Sequence, residues 1–192
     1  MGFDCEVYDP AIARMLAFRK AQEEDGPLVH TWMNEEHVHP FWQLNLPWAA
    51  FQPHFHRALH DPHQTLYIGF MDGAAMSYWE AYWVKGDVVE DYYDPSPFDQ
   101  GIHLLIGEKD FLGHGYALPL LKTMVRYQFR HQDTTKVVAE PDIRNEKMIH
   151  VFQACGFKPV EPITLPDKEA LLMFCERGEF ERRWKDEAFI RI

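Results

Sequence analysis

The chain has 192 residues, 46% of them apolar and 15% aromatic, and carries a formal net charge of −11 with its histidines neutral. This is a globular composition of a length suited to one domain over residues 1–192, able to bury a sizeable core. The acidic balance and the lack of a Lys/Arg block exclude a nucleic-acid surface, no apolar run approaches membrane-spanning length, and three scattered cysteines (Cys5, Cys155, Cys175) without a CxxC give neither a zinc knuckle nor a disulfide framework.

The first residues, MGFDCEVYDP, lack the apolar stretch of a secretory signal, and Glu6 breaks the myristoylation pattern. A reduced, cytoplasmic setting is expected, with no membrane partner. Residues 16–22 read as a first strand. Asp25 then caps a short helix, LVHTWMN. HVHPFW (37–42) reads as a loop. Pro47 opens a helix, WAAFQPHFHRALH, in which Pro53 predicts a kink or two shorter pieces. TLYIGF and AMSYWEAYWV flank Asp72-Gly73, a strong hairpin signal.

KGDVVEDYYDPSPFDQG (85–101) is a Pro- and acid-rich loop, long for a passive connection. IHLLIG (102–107) is the next strand. Residues 113–132 form a helix, with Ala117, Leu120, Leu121, Met124, Val125 and Phe129 at helical spacing. KVVAEP (136–141) is a further strand. Asn145 caps EKMIHVFQAC, which Gly156 stops. FKPVEPITL and EALLMFCER predict a closing strand pair, and 178–192 a helical tail. Strands 102–107 and 136–141, joined by a helix, should be parallel with a right-handed crossover. An antiparallel hairpin followed by a βαβ unit argues an α/β fold on a mixed sheet.

Gly113-His114-Gly115 sits at the start of the crossover helix. Glycines admit a phosphate close to the backbone, and the first helical N–H groups point outward from a positive dipole end. A pyrophosphate would then rest on residues 111–117. The later run EPDIRNEKMIHVFQACGF places Asn145, Met148, Phe152 and Gly156-Phe157 in helical rhythm before a glycine stop.

Together these two segments resemble the GCN5-related N-acetyltransferase (GNAT) superfamily. Its phosphate loop, [QR]-x-x-G-x-[GA], is matched in its glycines by Asp110-Phe111-Leu112-Gly113-His114-Gly115 but not in its leading Gln/Arg. A narrower resemblance spans about residues 15–180. HVHPFW, HDPHQTLYIGFMDG, SYWEAYWVKGD, YYDPSPFDQGIHLLIGE and AEPDIRNEKMI are similar to the acyltransferases of hydroxamate siderophore synthesis. These act on hydroxylysine or hydroxydiamines, as in the aerobactin, alcaligin, desferrioxamine and mycobactin acyltransferases.

The resemblance implies a mixed, mostly antiparallel central sheet whose parallel βαβ unit splays to hold acyl-CoA, with helices on both faces. It implies a catalytic pair, His103 and Asp142. His103 would take the proton of an amine attacking the thioester, and Asp142 would orient the imidazole or hold the acceptor. Acetyl-CoA or succinyl-CoA is the expected donor, and a small hydroxylamine the acceptor. The donor site would be built from Leu104, Leu105, Ile106, Phe111, Leu112, Gly113, His114, Gly115, Tyr116, Ala117, Asn145, Met148 and Phe152. The backbone N–H groups of 104–106 would stabilise the tetrahedral oxyanion. Phe152 stands where many acetyltransferases carry a Tyr that protonates the thiolate. The acceptor side would comprise His39, Trp42, Trp79, Glu80, Tyr92, Tyr93 and Asp99, acidic groups and aromatics suited to a cationic amine and its methylenes.

Two other readings fit the pattern. Aminoglycoside 6′-N-acetyltransferases share the general layout but carry an acidic residue where His103 stands. A non-catalytic acyl-CoA-binding module is the other. His56 and His60 have a metal-ligand spacing on a helix, but without HExxH or nearby cysteines no metal is expected.

Overall fold

The computed structural model describes residues 2–185 and 190–191. The chain falls into two units, Met1–Glu80 with Leu104–Tyr116 and Ile190–Ile192, and Ala81–His103 with Ala117–Phe189. Strands β4 (Ala74–Trp83) and β5 (Gln100–Ile106) each run from one unit into the other.

In the first unit, β1 (Cys5–Asp9), β2 (Arg14–Lys20), β3 (Gln64–Met71) and the start of β4 are consecutive neighbours. The β1–β2 and β2–β3 pairings are antiparallel. At the outer edge Ile190–Arg191 form a short β9 against β1. The Asp72-Gly73 turn forms as expected: both residues have positive φ, 49° and 82°, as a two-residue I′ hairpin requires. The Asp72 carboxylate accepts from the Met15 N–H and from the Arg14 guanidinium, tying this turn to β2.

Three helices, α1 (Gly26–Met33), α2 (His39–Trp42) and α3 (Trp48–His60), cover this unit's core. Val29, Trp32, Met33, Phe51 and Phe55 pack on Leu66, Ile68, Tyr78 and Leu105. Each such side chain contributes about 1.5–3 kcal/mol by leaving water. Three sequence expectations are corrected here. HVHPFW is not all loop, because Pro40 in the first turn favours a helical start and α2 forms before Gln43, at φ 53°, ends it. Asp25 does not cap α1 through its side chain. Its carboxylate takes the Arg19 guanidinium at 2.7 Å on both oxygens, and also the Gln22 N–H. Helix α3 stays in one piece across Pro53, because Pro53 and Ala49, whose carbonyl loses its partner, are both exposed to water.

In the second unit, β5 pairs β6 (Lys136–Ala139) in parallel. β6 pairs β8 (Glu169–Glu176), and β8 pairs β7 (Lys158–Thr164), both antiparallel. The sheet is thus mixed and mostly antiparallel, with one parallel step. That step is bridged by helix α4 (Ala117–Gln128), and α5 (Glu146–Cys155) follows β6. Leu120, Leu121, Met124 and Val125 of α4 are fully buried, as their spacing requires. The helix is shorter than the expected 113–132. At its start, Gly113 and Gly115 adopt positive φ and stay outside it. Beyond its end, the Arg177 guanidinium donates to the carbonyls of Phe129, His131 and Thr134 and holds them in a turn. The expected helical tail is α6 (Arg177–Arg183), while 186–189 and 192 lie outside the described residues. No helix among the described residues is long and apolar enough to cross a membrane.

Candidate active site

The parallel ladder of β5 and β6 consists of two pairs, Gln100 with Val137 and Gly101 with Val138. Two residues further along the same faces stand His103 and Glu140. The strand register therefore predicts their meeting, and the His103 Nε2 is hydrogen-bonded to Glu140 Oε1. The other oxygen of Glu140 accepts from the Tyr82 hydroxyl at 2.9 Å. The Tyr82 ring lies 5.0 Å from the imidazole, tilted by 39°. It occupies the space above Gly101, where an added Cβ would come within 1.9 Å of Tyr82 Cζ. A histidine, a carboxylate, a phenol and a glycine thus form one packed group.

Its electrostatics follow from burial. The Glu140 side chain is 3% exposed and that of His103 33%. Burial alone pushes the Glu140 carboxyl up. The His103 charge and hydrogen bond, Lys168 and the Tyr82 hydroxyl outweigh it, and the carboxyl lies below its usual value. Burial, followed by the Glu140 charge, pushes the Tyr82 phenol well up, so it remains a donor. A buried carboxylate with both oxygens engaged holds the imidazole in one orientation and favours the tautomer with its proton on Nε2.

Asp142 is not brought into this group as the expected pairing required. The chain continues along β8 after Ala139: Leu171 N–H donates to Pro141 O, Asp142 bridges Ala170, and Ile143 N–H donates to Glu169 O. The Asp142 carboxylate accepts from the Arg144 backbone at 2.8 Å and from its guanidinium at 2.9 and 2.6 Å. Those hydrogen bonds hold the Asp142 carboxyl below its usual value against the opposing effect of burial. The imidazole's carboxylate partner is Glu140, two residues earlier.

Of the expected donor residues, Phe111 closes a short 3-10 turn and Leu112 is exposed. Gly113, His114, Gly115 and Tyr116 form the loop that leads to Ala117, the first residue of α4. Gly113 and Gly115 have φ of 78° and 75°, and a Cβ on either would meet nothing within 4 Å. The backbone conformation selects glycine there, rather than crowding within the chain. His114 stacks on Tyr116 at 5.3 Å. Leu104 and Leu105 are buried, and the Ile106 carbonyl is bonded to His37 Nε2 at 2.8 Å. Asn145 caps α5 by accepting from the Met148 N–H at 3.2 Å, with Met148 itself half-buried. Phe152 is buried, edge-on to Phe157 at 4.9 Å.

The expected acceptor residues separate into two sets. Trp79 is wholly buried and its indole N–H donates to Ser77 Oγ at 2.8 Å. Asp99 is equally buried, accepting from the Tyr93 hydroxyl, the Ser96 N–H and the Thr135 hydroxyl. Both are structural rather than facing a substrate, because their polar atoms already serve neighbours in the core. Tyr93 packs on Phe174 at 4.8 Å and Tyr92 donates to the Thr164 carbonyl. His39, Trp42 and Glu80 remain half-buried, with Trp42 5.7 Å from Tyr78 and Glu80 accepting from the Tyr78 hydroxyl.

Glu140, Tyr82 and Gly101 are the residues packed with His103 that motif matching alone passed over. The signal that reveals them is the period-2 register of two parallel strands, counted from Gly101 and Val138.

A mixed sheet with one parallel βαβ step, a glycine loop leading into the crossover helix, and a histidine held beside that step define the class of acyl-CoA acyltransferases. The acetyltransferase (GNAT) domain family matches residues 21–165. An N-hydroxyputrescine acetyltransferase of Acinetobacter baumannii is 35% identical over 82% of this chain and 75% of its own length. An N(6)-hydroxylysine O-acetyltransferase of Escherichia coli is 30% identical over 90% of this chain, which spans 56% of that protein. Among solved structures, an uncharacterized protein of Bacillus halodurans superposes with a TM-score of 0.93 at 49% identity, covering 95% of this chain and 94% of that one. The aminoglycoside acetyltransferase AAC(6')-Ib, bound to acetyl-CoA and an aminoglycoside, superposes with a TM-score of 0.82 at 25% identity, over 89% and 98% of the two chains. The chain belongs to the GNAT family of acyl-CoA-dependent N-acyltransferases.

Proposed function

We propose that the protein transfers a short acyl group, acetyl or succinyl, from acyl-CoA to the nitrogen of an N-hydroxylated amine in hydroxamate siderophore synthesis. N-hydroxyputrescine, N-hydroxycadaverine and N6-hydroxylysine are the candidate acceptors. The observation that carries this reading is His103, partly accessible and held by the buried Glu140, in a chain similar to two enzymes named for hydroxylated amines.

The acceptor nitrogen attacks the thioester carbon directly. The C–N bond forms, the nitrogen's proton passes to the His103 imidazole, and Glu140 stabilises the resulting imidazolium. Backbone N–H groups of Leu104–Ile106 receive the oxyanion. The C–S bond then breaks, and the imidazolium returns the proton to the thiolate, a role Phe152 has no group to fill. The loop 111–117 receives the pyrophosphate. Asp142 with Arg144 shapes the acceptor side rather than the base. Burial pushes the Cys175 thiol well up, which disfavours it as an acyl-accepting nucleophile.

Thiol release from acetyl-CoA and succinyl-CoA with each of the three acceptors tests the proposal. His103→Ala is expected to retain CoA binding and lose most turnover. The similarity to AAC(6')-Ib makes aminoglycoside acetylation the competing reading. Turnover with an aminoglycoside and with none of the hydroxylated amines would sink the leading one.

A further inference from the structure

Helix α3 carries His56 and His60 one turn apart, their ring centroids separated by 4.4 Å. Facing them, the 3-10 turn Glu23–Asp25 presents the Glu23 carboxylate. Its Oε1 lies 2.5 Å from His56 Nδ1 and 3.8 Å from His60 Nδ1. One ligand atom from each of the three residues falls within 4.8 Å of the other two. None of them serves the acyl-transfer chemistry described above.

A divalent ion placed among the three side chains would accept one lone pair from each. Tetrahedral ligands at about 2.0–2.1 Å from zinc stand roughly 3.4 Å apart. The present spacings of 2.5 and 3.8 Å bracket that value. The side chains are 48–64% exposed, so small rotations suffice, and a fourth position is open to water. Two hydrogen bonds are exchanged for the metal: that of His60 Nδ1 to the His56 carbonyl, at 2.8 Å, and that of His56 Nδ1 to Glu23 Oε1, at 2.5 Å. Two imidazoles and one carboxylate suit a borderline ion such as zinc and disfavour calcium or magnesium, which take oxygen ligands.

We propose that Glu23, His56 and His60 form a surface site for a divalent transition-metal ion of the zinc class, pinning the 23–25 turn to helix α3. The test is calorimetric titration of the full, metal-stripped chain with zinc chloride, alongside thermal unfolding. One equivalent should bind. The melting temperature should rise by about 5–10 °C when zinc is about a hundredfold above its dissociation constant. His60→Gln should weaken binding by at least about tenfold, and the double variant with His56→Gln should abolish both heat and shift. Circular dichroism of the metal-free variants shows whether they are folded. No saturable binding to the wild type overturns the proposal. So does unchanged affinity in the folded double variant, or equal binding of calcium.

Discussion

Glu140→Gln isolates the buried carboxylate from everything else in the site. The change keeps the side chain's size but halves its capacity to accept. Glu140 receives two donors, Tyr82 O–H on one oxygen and His103 Nε2 on the other. The amide offers one oxygen and one NH₂ group, so one of the two loses its acceptor. If the imidazole does, the transition state forfeits a charge-assisted hydrogen bond of about 1.5–3 kcal/mol. At about 1.4 kcal/mol per tenfold, kcat falls by roughly 10- to 150-fold, while KM for acyl-CoA is unchanged. If the buried Tyr82 hydroxyl does, the cost falls on stability, about 1–3 kcal/mol. Adding Tyr82→Phe then restores part of the stability, because the amide faces a single donor, and leaves kcat as in Glu140→Gln. The assay is saturating thiol release with a hydroxylated amine, set beside urea unfolding of the unaltered protein and these two variants. A Glu140→Gln enzyme within threefold of wild type, in a chain that His103→Ala inactivates, would refute the claim that the carboxylate acts through the imidazole.

Gly101→Ala should drive a methyl group into the Tyr82 ring, 1.9 Å from Cζ, and cost about 1–3 kcal/mol or more in urea unfolding, with kcat falling as Glu140 loses its support. Gly115→Ala, at φ 75°, should cost about 1–2 kcal/mol and raise KM for acyl-CoA more than it lowers kcat, read from initial rates. Asp142→Asn should leave kcat with a saturating acceptor within a few-fold and raise the acceptor's KM, since its carboxylate holds Arg144 rather than His103. Acid should destabilise the fold through Glu140 and Asp142, whose folded values lie below their usual ones. Their contribution is complete above the ordinary carboxylate range, about pH 4–4.5. It is lost as pH falls through the folded values, and Glu140→Gln should flatten the urea midpoint against pH.

How much of this was legible depended on the range of the signal. Asp72-Gly73, the apolar face of α4 and the Asn145–Gly156 helix are local, and each forms as its residues dictate. The β1 strand, CEVYD, was missed because only Val7 and Asp9 of its five residues are buried, too few to show a pattern. Its strand character comes from pairing with β2, a tertiary cause. In the site, His103 stood out as a polar interruption of an apolar strand. Asp142 drew attention through the motif, but its side chain had a nearer partner at Arg144. Trp79 and Asp99 looked like ligand-facing residues because composition alone does not show which way a side chain points. The hydrogen bonds to Ser77, Tyr93 and Thr135 decide that, and all three partners had to be placed first.

The same register argument explains why position 140, not 142, serves the histidine. In the β6–β8 ladder, Lys136 faces Glu176 and Ala139 faces Met173. The same step continues unbroken to Asp142 opposite Ala170. The segment after β6 therefore belongs to β8, and Pro141, which has no N–H, gives only its carbonyl to that ladder. Meanwhile Gly101 opposes Val138, so the first side chain able to meet His103 is that of residue 140. Placing a carboxylate there in a buried setting would be costly alone. Tyr82 supplies the second donor, and it reaches Glu140 only because residue 101 has no side chain to block its ring. Gly101 is thus required by the packed His103–Glu140–Tyr82 group rather than by the strand. A larger residue at 101 should damage turnover even where the fold survives.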